Sequence, residues 1–172
     1  RVHGLEAVFG QGFVDAGVRL VDHLAVLGSL GRVEASGDVS YLARQVVISI
    51  AAGMRLADVS RWLGGHELMV RTMPNTPALI GSGVIGMYAS PAVSEAERLG
   101  TERIMQSVGC TVWVADESQI DGVTALSGSG PAYVFLFIEA LQQAAAELGF
   151  NARQAQLLSI ETVLGAARLA AQ

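Results

Sequence analysis

The chain has 172 residues, 51% of them apolar and only 16% charged, which allows one domain with a sizeable core and excludes an intrinsically disordered chain. A net charge of −5 lacks the basic footprint of a nucleic-acid binder, yet it leaves open a small anionic ligand, for which a few backbone N–H groups suffice. A single cysteine, Cys110, permits no internal disulfide, and residues 1–30 lack the basic start and continuous apolar core of a signal peptide; both fit a cytoplasmic location.

Residues 1–44 give no clear order of strand, turn and helix. Gly10 and Gly12 start a G-x-G, but Asp15 stands where a dinucleotide fingerprint needs Gly or Ala. His3, His23 and His66, with Cys110, have no metal-ligand spacing, so no metal is expected. "VVISI" at 46–50 is a β-branched run that reads as a buried strand, and "AAG" turns the chain after it. A short helix is predicted from Leu56 to Leu63, stopped by Gly64 and Gly65. "ELMVRTM" at 67–73 is a strand ended by Pro74, and Gly83 to Ala89 a third, weaker one. Ser94 with Glu97 is a capping box opening a helix to about Val108, and "CTVWVAD" is another strand. Strands alternating with short helices predict an α/β unit with a largely parallel sheet.

After Asp116 nothing reads as a strand, and helices are expected over about 118–126, 131–148 and 152–170. Pro131 suits a first turn, Gly149 a stop, and Asn151 with Gln154 a further cap. "LSGSGPAYVFLFIEALQQAAAEL" holds Gln142, Gln143 and Glu147, too many polar groups for an isolated membrane span of about 20 residues. A helix apolar nearly all round reads instead as buried in a helical assembly, between subunits.

Two polar bends interrupt the apolar stretches. In "MPNTP", Pro74 and Pro77 hold Met73 and Thr76 out of helix, so that Asn75 and Thr76 present polar side chains just past a strand, where open α/β sheets bind ligands. The same residues also make a plain proline-stiffened turn. In "SGSGPAY", 127–133, alternating Ser and Gly ahead of a Pro-initiated helix expose N–H and O–H groups suited to a carboxylate or phosphate. The alternative is a simple cap by Ser129 or Gly130. Glu117, upstream, either folds over the same pocket or serves as a first-turn helix acid. "SIAAG" at 49–53 lets a cofactor, or merely a helix, approach the backbone closely.

Together these segments resemble pyrroline-5-carboxylate reductases. The resemblance runs from about Gln45 to the end, through "VVISIAAG", "VRTMPNTPALIGSGV", "VGCTVWVADESQIDGVTALSGSGPAYVFLFIEAL" and "ETVLGAARLA". It implies an α/β fold, a partial Rossmann-type parallel sheet over 1–116, followed by a truncated, all-helical dimerisation and substrate domain over 117–172. By the same resemblance Ala51, Ala52 and Gly53 lie beside an NADPH or NADH cofactor, and Asn75, Thr76 and Pro77 line the cleft near its nicotinamide. Glu117, Ser127, Gly128, Ser129 and Gly130 would border the substrate, 1-pyrroline-5-carboxylate, which is reduced to L-proline in a homodimer or larger homo-oligomer. No catalytic residue is assigned.

Two stretches depart from the family pattern. Its opening strand and G-x-G-x-M-type loop, and an A-V-K-P-like segment ahead of "SIAAG", have no convincing counterpart in residues 1–44; one hypothesis is a shifted reading frame or a faulty gene model of a truncated reductase over that stretch. Its T-S-P-G-G-T-T-like loop does not occur before Gln172. Weak or absent activity of this chain alone is therefore expected. Two further readings are a non-catalytic helical association module with a vestigial α/β lobe, and a related imine or 3-hydroxyacid reductase, which "SGSGPAY" disfavours.

Overall fold

The computed structural model describes residues 45–172 and the backbone of one strand at Leu24–Leu27. The features at His3, Gly10, Gly12, Asp15 and His23 lie outside those residues. The chain divides into two compact units, Arg1–Gly128 and Ser129–Gln172.

The first unit holds a five-stranded sheet: β1 (Leu24–Leu27), β2 (Val46–Ser49), β3 (Met69–Pro74), β4 (Gly83–Ala89) and β5 (Gly109–Trp113), side by side in chain order. Every residue of β2 is buried, as expected of a β-branched strand covered on both faces. Helix α1 (Leu56–Trp62) buries Leu56 and Val59, which join Val47, Leu63 and Met69 in one apolar cluster. A second cluster gathers Val46, Ile48, Val70, Ile85, Met87, Met105 and Val108; Met105 comes from helix α2 (Glu95–Met105). The predicted capping box at Ser94 and Glu97 opens α2. His66 is spoken for structurally, with Nε2 2.9 Å from the Gln45 carbonyl oxygen and 3.1 Å from that of Leu68.

All neighbouring strands run parallel except β3 and β4, which are antiparallel. The connection between them is the reason. It holds little more than a 3₁₀ helix, Thr76–Ile80, whereas a parallel return needs a crossover of about a dozen residues or more. Two glycines let elements close up. A Cβ on Gly109 would overlap the Gly83 carbonyl on the neighbouring strand, and one on Gly86 would lie 2.7 Å from a Val123 methyl. Helix α3 (Gln119–Val123) therefore rests directly on β4.

The second unit is a pair of helices, α4 (Gly130–Glu147) and α5 (Ala152–Ala170). Gly149, at φ 90°, ends the first in a left-handed conformation. Asn151 and Gln154 cap the second reciprocally. The buried residues are Ala145, Ala155 and Ser159, all small, while Tyr133, Phe135, Leu136, Phe137, Leu157 and Leu169 are exposed. By length and composition alone the helical run Gln119–Glu147 is apolar enough to cross a membrane.

Candidate functional site

One residue from each of the two polar bends named from the sequence, Asn75 and Ser127, meets the other within the first unit. Asn75 follows the last residue of β3 in extended conformation, with φ −104° and ψ 169°. Its side-chain amide works in both directions: Oδ1 accepts from the Val84 N–H at 2.9 Å, and Nδ2 donates to Ser127 Oγ at 3.2 Å. The first bond braces the start of β4; the second links two segments 52 residues apart. Because Ser127 Oγ accepts from Asn75, its own O–H proton is left for a further acceptor.

The local structure of both bends differs from the expectation. Thr76 is not held extended: it opens the 3₁₀ helix, whose first turn is closed by the Ala78 N–H on the Asn75 carbonyl at 3.0 Å. Pro77 is tolerated early in a helix, where its missing N–H leaves no gap. Thr76 itself is exposed and Pro77 half-buried. Around Ser127 the chain is not an open loop ahead of a helix either. Residues Thr124–Gly128 form a wide turn of π-helix, and Ser129, in the N-cap position of α4, has helical dihedrals and makes no side-chain cap. At the start of the π-turn the Thr124 hydroxyl donates to the Ile120 carbonyl at 2.9 Å, the kind of back-bond that often bends helices. π-Turns of this kind recur at functional sites. Gly128 fits because a Cβ there would come within 3.2 Å of Met73 Cε at the end of β3.

Ala51, Ala52 and Gly53 turn the chain just past β2, with Gly53 at φ 76°. Ala52 and Gly53 are exposed, and among the described residues no atom beyond Gly53 and its chain neighbours lies within 4 Å of where a Gly53 Cβ would stand, so this backbone is open to close approach. The turn, Asn75 and the π-turn with Ser127 thus belong to one unit. Ser129 and Gly130 are the first residues of the other.

Glu117 is placed by a residue that sequence reasoning passed over. Arg71, in the middle of β3, is 1% exposed, and its Nη1 donates to Glu117 Oε1 at 3.2 Å while Nη2 reaches Asp121 Oδ1 at 3.4 Å. The same Glu117 oxygen accepts from the Leu56 N–H at 2.7 Å, the start of α1. Asp121 also binds Arg55 at 3.0 Å. The signal was present: an arginine inside the otherwise apolar strand "ELMVRTM" has to find carboxylates. An apolar groove of about 320 Å³ elsewhere on the unit is lined by Leu56, Ser60, Met69 and Pro91 among others, and contains none of the candidate residues. Among the described residues no three His, Cys, Asp or Glu side chains gather as a metal site.

Comparison with known proteins adds to this geometry. Residues 117–172 match a family model described as pyrroline-5-carboxylate reductase dimerisation. A pyrroline-5-carboxylate reductase of Pseudomonas aeruginosa is 46% identical over 126 residues, which are 73% of this chain and 46% of that protein. One of Pisum sativum is 40% identical over 126 residues, 73% of this chain and 45% of its own length. The structure of a pyrroline-5-carboxylate reductase from Coxiella burnetii superposes with a TM-score of 0.70 at 47% identity, covering 73% of this chain and 46% of that one. A Plasmodium falciparum pyrroline carboxylate reductase with NADP bound shares the fold, with a TM-score of 0.77 at 22% identity over 100% of this chain and 78% of that one. The chain spans about half the length of the curated relatives it matches.

Proposed function

We propose that the chain belongs, over the stretch that matches, to the pyrroline-5-carboxylate reductase family and carries part of the machinery that reduces 1-pyrroline-5-carboxylate to L-proline, the last step of proline formation. The observation that carries this reading is the Asn75–Ser127 hydrogen bond, which joins the two motifs on which the resemblance rests. When bound, NADPH or NADH would supply the hydride for the C=N carbon, the ring nitrogen taking a proton.

The residues present fit such a nucleotide. The open backbone of Ala51, Ala52 and Gly53 at the carboxyl end of a parallel strand is where dinucleotides lie on α/β sheets. Asn75, Thr76 and Pro77, past the neighbouring strand, border the cofactor cleft. Ser127 and Gly128, with Ser129 and Gly130 next in the chain and Glu117 upstream, border the substrate; hydroxyl and N–H groups there suit its carboxylate. The helical domain, counted from Glu117, serves homodimerisation through the exposed apolar residues of α4 and α5. The protein works as a soluble enzyme of the cytoplasm.

The association-module reading is not favoured, since the similarity over 126 residues extends well beyond the helices. Purified chain titrated with NADPH and then supplied with the cyclic imine tests the proposal. Saturable nucleotide binding with imine-dependent oxidation of NADPH, slow as it is expected to be, upholds it. Binding of neither NADPH nor NADH overturns it.

A further inference from the structure

The turn between β2 and α1 is pinned at both ends from adjacent positions of β3. At its start, the buried Thr72 hydroxyl donates to the Ser49 carbonyl at 3.1 Å. At its end, Arg71 holds the Glu117 carboxylate, and that carboxylate accepts from the Leu56 N–H. The side chains of Arg71 and Glu117 are 2% and 19% exposed, so this is an almost dry ion pair. Burying a guanidinium costs much of what the pairing returns, and a buried pair is weak evidence for stability as such. What it supplies here is geometry. One carboxylate oxygen is shared between a charged donor on a rigid central strand and the first N–H of a helix. The second carboxylate, Asp121, ties Arg71 to Arg55, the residue just before that helix.

We propose that Arg71 and Glu117 are positioning residues: through the Leu56 N–H they hold the Ala51–Arg55 turn in the one conformation that receives the dinucleotide. This inference rests on the reductase reading above and gives Glu117 a task distinct from contact with the substrate. Arg71 touches neither reactant and acts through Glu117. Glu117 also stands two residues before α3, which runs on into the π-turn Thr124–Gly128 that holds Ser127, so the ion pair links the cofactor turn to the segment carrying Ser127 in the same unit.

The test uses the full chain with E117A, E117Q and R71K, and E95Q on the exposed start of α2 as a charge control. Two readings are taken: amide hydrogen exchange at Leu56 by NMR, and the NADPH dissociation constant by fluorescence titration. In E117A the Leu56 amide is expected to exchange about tenfold faster and NADPH to bind about tenfold more weakly, the scale of one lost hydrogen bond to a charged acceptor. E117Q keeps an acceptor for Leu56 and recovers most of both losses. R71K, a point charge in place of a fork, lies between, weakening NADPH about threefold. E95Q matches the parent. Should E117A fail to fold, R71K and E117Q decide by the same two readings. Unchanged Leu56 exchange in E117A and R71K, or faster exchange with unaltered NADPH affinity, overturns the inference. A parent chain that binds neither nucleotide overturns the reductase reading instead, and is recognised before any variant is compared.

Discussion

Strand β2 and helix α4 are both apolar runs, yet all of β2 is buried while Ala145 is the one buried residue of α4. The difference lies in what each element is given to pack against. β2 has a strand on either side and apolar clusters drawing on both of its faces. The helices α4 and α5 meet through small residues and leave their aromatic and leucine side chains in solvent. An amphipathic helix can finish its packing within its own unit; one apolar on every side needs a further surface. Apolar content therefore measures how much burial a segment demands, and says nothing of which chain satisfies it.

That contrast can be broken most directly by matched truncations. Ile48→Ala, in the fully buried strand, is expected to cost about 4 kcal/mol of unfolding free energy at every protein concentration. Phe137→Ala, at a residue 57% exposed, should cost about 2 kcal/mol only where the chain self-associates, and shift the association equilibrium in sedimentation. If Phe137→Ala were as costly in dilute monomer as Ile48→Ala, the two units would not differ as described.

Gly86→Ala sharpens the first half of the contrast. Its new methyl would meet Val123 and push α3 off the sheet, for a loss of about 1–2 kcal/mol in chemical denaturation. An unchanged midpoint would mean that this contact is loose. The smallest effect is expected from pH. The hydrogen bonds from the Ser94 hydroxyl and backbone N–H hold the Glu97 carboxyl below its ordinary 4.5. A lowered folded value means the cap contributes fully above 4.5 and is lost as pH falls through that lowered value. Glu97→Gln should flatten the acid limb of the stability profile slightly and leave neutral pH almost untouched.

Much of the first unit was legible because its signals are local. The β-branched run at 46–50, the breakers Gly64 and Pro74, and the reciprocal pair Ser94 and Glu97 each act within a few residues, and the elements stand where those signals put them. The antiparallel return of β4 was not legible in the same way, since it follows from the length of the connection and from which edge of β3 was free. The π-turn at Thr124–Gly128 was hidden by a glycine-serine pattern that also suits an open loop. Arg71 was visible as an oddity in its strand, but its partners lie 46 and 50 residues away.

By itself the sequence determined most of the elements from Gln45 onward, their caps and the family resemblance, since short-range sterics and motif chemistry are written residue by residue. Only the tertiary structure decided that Asn75 meets Ser127 and that Glu117 stands on the first turn of α1. Those contacts depend on strand order and on glycines that let α3 and the π-turn come close to the sheet, and hydrogen bonds of about 3 Å are set only once backbones have been brought together.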